Sequence, residues 1–230
     1  MSSWLPGGAE APGRRRVRSR FGFPPGTAAF VSAAPDFGLA AVFLATWIRP
    51  TAMPDDMLPR LTILMALEFI VVHSAGFMGF IVHDGESRGR RTLWMLGLIG
   101  VYSIFALGFS LAAHAWWPLI SFTILGLNRT SAIWTGQSRG RDLGPFIIRG
   151  WVLPTVLYLG GVLFTAAGPI PRLGITDAIV AMYRGGGVSG LWTDEPWRVL
   201  ALGGFYFAAV GLTELFDPGA GGEPVAAEVV

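Results

Sequence analysis

Six apolar blocks divide this chain, and they constrain its fold more than any other feature. They run roughly Ala28–Ile48, Leu61–His83, Thr92–His114, Pro118–Gly136, Gly150–Ile170 and Trp197–Phe216. A helix rises about 1.5 Å per residue, so about 20 apolar residues cover the hydrocarbon core of a bilayer. That core holds no water to bond exposed backbone groups, and a helix is the element that satisfies them within one segment. The expected fold is all-α: a polytopic transmembrane helical bundle of six spans, with both termini in the cytoplasm. Residues 1–26 are expected to form a disordered basic cytoplasmic tail, 27–216 the transmembrane domain, and 217–230 a disordered C-terminal tail.

Composition agrees with that division. Of 230 residues, 52% are hydrophobic and 14% charged, where a soluble domain carries about 25% charged residues. The charges cluster between the blocks. The 32 glycines suit membrane helices, which use small residues for close approach. Absence of cysteine excludes a disulfide framework, thiol catalysis and a Cys-ligated metal. All 17 basic residues are arginine, which excludes Schiff-base lysine chemistry. So uniform a preference is compositional and not specific to a site.

The arginines set the orientation. Five lie in the N-terminal tail (Arg14, Arg15, Arg16, Arg18, Arg20), three between the second and third blocks (Arg88, Arg90, Arg91), and three between the fourth and fifth (Arg139, Arg141, Arg149). In a six-span chain these eleven share one side. Arg49, Arg60, Arg172, Arg184 and Arg198 face the other, beside Asp55, Asp56, Asp177, Asp194 and Glu195. An excess of basic residues marks the cytoplasmic face, and five or seven spans would scramble the segregation. This places the chain as a multi-pass protein of a bacterial inner membrane. Arg15-Arg16 ahead of an apolar stretch resembles a twin-arginine export signal only loosely, without a convincing cleavage site, which favours a retained anchor.

Local signals refine the blocks. Ser32-Ala33-Ala34-Pro35-Asp36 offers a late start for the first helix, with Asp36 in a capping or interfacial role. The third and fourth blocks are joined by Ala115-Trp116-Trp117 alone, which forces an antiparallel hairpin with its tryptophans at the interface. Residues Ile175–Tyr183 read as a short interfacial helix broken by the following glycines, and Thr193-Asp194-Glu195-Pro196 as the cap and acidic first turn of the last helix. Small-residue pairs name packing faces: Ala75 with Gly79, Gly100 with Gly108, Gly204 with Ala208, and Gly126, Ala132 and Gly136 flanking Arg129.

Few residues here carry chemistry. Arg129 is the most expensive, since a mid-span arginine costs roughly 2.5–3.5 kcal/mol on insertion scales. Glu68 shares the Ala75–Gly79 stripe and therefore faces a helix, not lipid. Both spans run outside to inside, with the two residues ~6 Å apart in depth, within reach of a guanidinium. The expectation is a Glu68–Arg129 pair supported by Asn128 and Thr130: either a polar site for a proton, ion or small solute, or a pair that only sets helix register. His73 lies about 140° from Glu68 on the same wheel, among Phe69, Phe77 and Phe80. No two of His73, His83 and His114 share a depth, so a bis-histidine haem within one subunit is not expected, and no metal or other cofactor is predicted. Arg88, Arg90, Arg91, Arg139 and Arg141 are expected to meet anionic lipid headgroups.

Three functional classes follow. Slightly favoured is a small-solute or ion channel or carrier using the intramembrane polar site. The alternative is an accessory or scaffolding subunit of a larger membrane complex, associated with other membrane subunits or with copies of itself. A membrane enzyme or haem-binding electron-transfer subunit ranks last, for want of paired carboxylates or a nucleophile–base set at one depth, so the chain leans away from being an enzyme. Its expected partners are the bilayer and its anionic lipids, and nucleic acid is not among them.

Overall fold

A computed structural model of the chain describes residues 25–83, 87–135, 151–184 and 190–216. The N-terminal tail up to residue 24 and the C-terminal tail expected at 217–230 lie outside them, as do Arg139, Arg141 and Arg149. The described residues form eight α-helices and no strand. In chain order these are α1 (Pro25–Ile48), α2 (Met57–His83), α3 (Arg88–Ala112), α4 (Trp117–Thr135), α5 (Leu153–Ala167), α6 (Asp177–Arg184), α7 (Leu191–Asp194) and α8 (Pro196–Leu215), with a 3-10 turn at Pro50–Ala52 between the first two. Each of the six apolar blocks falls on a helix. Three helices, however, are long and apolar enough by themselves to cross a membrane: α2 over Met57–Ile81, α3 and α8. The remaining blocks contribute shorter apolar helices, Ala33–Ile48, Trp117–Leu127 and Leu153–Ala167. α5 stops early because Gly168, Pro169 and Pro171 follow it, and proline cannot continue a helix.

The surface of α3 shows what solvent these helices suit. Leu93, Ile104 and Leu111 are 72%, 69% and 60% exposed, in line with Trp94, Val101 and Phe105. A continuous apolar face of this kind is an aggregation site in water and an ordinary surface in hydrocarbon.

α8 is the axis of one half of the bundle. Val199, Leu200 and Leu202 are fully buried on it, and α1, α2 and α5 all pack against it. The α1 contact is the closest: a Cβ at Gly203 would lie 2.3 Å from the Phe43 ring, so only glycine admits that ring. On the other side of α2, α3 and α4 form the expected hairpin around Met95, Ile99 and Phe122. The hairpin closes where the Ser110 hydroxyl accepts the Leu119 N–H at 3.0 Å and His114 adopts φ 47°. Gly126 of α4 meets Ile99 of α3. α2 thus stands between two hydrophobic cores.

One end of the bundle is covered by residues 170–184. Trp47 donates its indole N–H to the Pro171 carbonyl at 3.0 Å, Arg172 stacks 4.4 Å over the Trp197 ring, and Ile175 is buried. α6 docks on the start of α2 through Tyr183; burial pushes its phenol up, and a hydrogen bond with Thr62 partly offsets this. Arg198 donates to the Ala166 and Gly168 carbonyls at 3.1 and 3.0 Å and also to that of Thr165. A cation there satisfies carbonyls that the end of α5 leaves open and complements its dipole.

Sequence expectations need correction at three places. α1 runs through Pro35, so Asp36 lies inside the helix and is not its cap. The gap that Pro35 leaves in the ladder bends a helix without ending it when neighbours hold both sides. Gly100 and Gly108 are exposed, with nothing within 4 Å of a Cβ built there. The buried face of α3 is the one bearing Arg91, Met95, Ile99, Ala106 and Ser110. Thr193 belongs to α7 and turns its hydroxyl back to the Gly190 carbonyl, so Glu195 occupies the cap position of α8. Glu195 makes no capping bond and pairs instead with Arg198.

Candidate functional site

Glu68 lies eleven residues into α2, ~16 Å from its start, and Tyr206 lies ten residues into α8, ~15 Å from its start. Both helices begin at the end covered by residues 170–184, so the two side chains meet at one depth. The Tyr206 hydroxyl donates to Glu68 Oε1 at 2.7 Å. Tyr206 is fully buried and Glu68 half-buried. A carboxylate in hydrocarbon requires such a donor, because none comes from the solvent. Beside them, the Tyr158 hydroxyl donates to the Met65 carbonyl at 2.7 Å, and the Tyr158 and Tyr206 rings meet edge to face at 5.5 Å.

Two more carboxylates extend this group toward the far end of α8. Gly211 packs on the Phe37 ring, which brings α1 and the last turn of α8 together. Asp36 and Glu214 are near enough for their charges to repel, and Tyr206 lies in the field of both Glu68 and Asp36. Glu68 of α2 and Asp36 of α1 thus flank the Tyr206 phenol, and Glu214 of α8 lies beyond them beside Asp36.

The residues proposed from sequence divide as follows. Glu68 faces a packed helix, as the small-residue stripe implied. Arg129 and Asn128 lie on α4, which packs against α2, and their side chains, and with them the expected Glu68–Arg129 pair, lie outside the described ones. Thr130 gives its hydroxyl proton to the Gly126 carbonyl at 2.9 Å, which commits that donor to its own helix. His73 lies away from Glu68 and stacks with Phe69 and Phe77, as the wheel indicated, and also with Tyr102 of α3. Of the arginines expected at headgroups, Arg88 and Arg90 are exposed, whereas Arg91 is buried at 8% exposure on the inner face of α3.

Tyr206 escaped the sequence reading. The chain has four tyrosines, and those within apolar blocks must find hydrogen-bond partners there. Counting depth from the helix starts would have placed Tyr206 level with Glu68.

These features define the class: an all-helical membrane protein with a carboxylate–phenol group inside its packed helices. Comparison with family models, with curated proteins and with solved structures finds no match to this chain.

Proposed function

We propose that this chain is a six-span inner-membrane protein, N-in and C-in, that carries a proton or small cation through its helical interior. The observation supporting this most directly is the Glu68 carboxylate held by Tyr206 near mid-span, with Asp36 and Glu214 continuing the acidic series along α8. Intramembrane acids are costly, and a series of them at graded depths offers successive sites for one transferred charge. In this reading Glu68 takes up the ion, Tyr206 orients the carboxylate, and Asp36 and Glu214 pass the ion toward the cytoplasm. Arg129, on a helix adjoining α2, is proposed as the counter-charge that keeps Glu68 ionised between transfers.

Proteoliposomes loaded with a pH-sensitive dye, under a potassium-diffusion potential, test it. Wild-type protein should collapse a proton or monovalent-cation gradient faster than protein-free vesicles. Glu68→Gln should lower that rate at least tenfold and Tyr206→Phe several-fold. Wild-type rates equal to those of empty vesicles, or full flux in Glu68→Gln, would remove the reading. Stoichiometric membrane subunits that co-purify with an inactive chain would instead establish the accessory-subunit role.

A further inference from the structure

A second feature lies on another flank of α2, separated from the Glu68–Tyr206 contact by Tyr158, which lines it. α3 and α5 stand apart on either side of α2, leaving a cavity of about 720 Å³ between them, with Trp192 of α7 at one end. Along α2 its wall runs from Ala66 to Phe77, ~16 Å of helix. Phe77 and Phe105 on its rim are 49% and 57% exposed, so the cavity opens sideways from the bundle at the level of the spans. Its surroundings are hydrocarbon, and whatever enters it dissolves in lipid.

Besides Tyr158, whose hydroxyl is committed to the Met65 carbonyl, the wall is apolar and aromatic except at one place. His73 and Tyr102 line it with ring centroids 6.1 Å apart, and among the described residues neither donates a hydrogen bond to another group. A neutral imidazole always carries one N–H and a phenol one O–H, so the pair presents two donors. Leaving such groups unpaired in hydrocarbon is costly, and a ligand acceptor between them removes the cost. His73 is sixteen residues into α2 and Tyr102 fourteen into α3, ~24 and ~21 Å along their helices. A charged phospholipid headgroup stays at the interface and cannot reach that depth, whereas a neutral carbonyl can. The flat rings of Phe69, Tyr102 and Phe105 around the same point suit a planar conjugated head, and the remaining apolar wall suits a hydrocarbon tail.

We infer that the cavity between α2, α3 and α5 binds a prenylated quinone, with a ring carbonyl accepting from His73 and Tyr102 and the chain leaving toward lipid. The inference uses the membrane crossing of α2 and α3 and is independent of the carboxylate series.

The full chain in lipid nanodiscs, titrated with decylubiquinone while tryptophan fluorescence is followed, tests it. Saturable quenching is expected, because a quinone bound in the cavity that Trp192 lines quenches that indole, and Trp192→Phe should remove most of the saturable part. The double substitution His73→Phe with Tyr102→Phe keeps both rings and removes both donors; it should weaken binding at least tenfold. Val101→Trp, which fills the wall, should abolish binding, and Leu111→Ala, on the outward face of α3, should leave it unchanged. Matching thermal midpoints across the variants show that each is folded. Three results would overturn the inference: quenching that rises without saturation, a double variant binding as wild type does, or equal displacement by 1-dodecanol. The assay reads binding alone, so its failure leaves the transport reading standing, and the converse holds.

Discussion

At the scale of single residues, the interior shows how polar side chains are kept within apolar helices. Thr46, Thr62, Thr123, Thr130 and Thr165 each return a hydroxyl to the carbonyl four residues earlier, which satisfies the donor without a second helix. Tyr158 and Tyr206 reach across helices instead. Thr155 does neither: its hydroxyl oxygen is buried without a partner among the described residues. Removing an unsatisfied buried hydroxyl while keeping its shape is neutral or favourable. Thr155→Val is therefore expected to leave the stability in detergent unchanged or raise it by up to about 1 kcal/mol, read by thermal unfolding. Tyr158→Phe, which leaves the Met65 carbonyl without its cross-helix donor, should lose about 0.6 kcal/mol, the average for such bonds between membrane helices. A large loss in Thr155→Val, or a gain in Tyr158→Phe, would reverse the assignment.

At the scale of elements, glycine decides which helices can touch. Gly203 lets α1 lie against α8 because the Phe43 ring fills the space of the missing side chain. Gly76 serves α2 in the same way, since a Cβ there would lie 2.5 Å from the Trp151 ring just ahead of α5. Gly203→Ala should destabilise the fold by about 1–3 kcal/mol, the range for overpacking a close contact. Gly108→Ala, with open space around it, should be neutral or stabilise by up to ~1 kcal/mol through helix propensity. Chemical unfolding in micelles measures both, and equal effects at the two sites would show that α1 does not seat on Gly203. The helices themselves were legible in the sequence, as were the direction of Glu68 and the aromatic setting of His73. Gly100 and Gly108 were misread, because small-residue spacing shows where close packing is possible and not where it occurs. Helix α3 has a bulkier face bearing Met95 and Ile99, and that face met α4.

At the scale of the whole molecule, the two cores on either side of α2 make a bundle one end of which is covered by residues 170–184. The proposed six-span, N-in arrangement predicts which surfaces meet each compartment. Because the chain has no cysteine, single substitutions report cleanly. Thr51→Cys and Met182→Cys should react with an impermeant maleimide added to intact spheroplasts, and Arg88→Cys and Phe216→Cys only after permeabilisation. Labelling of Arg88→Cys in intact cells would reverse or break the topology. What the sequence by itself determined is where the apolar helices lie, since that follows from local runs of apolar side chains. Only the tertiary structure decided what stands opposite each residue. A helical wheel points Glu68 inward, but its neighbour depends on the order in which helices pack. That order is set by shape fits between distant segments, such as Phe43 against Gly203, and it brings Tyr206 of the last helix to the carboxylate.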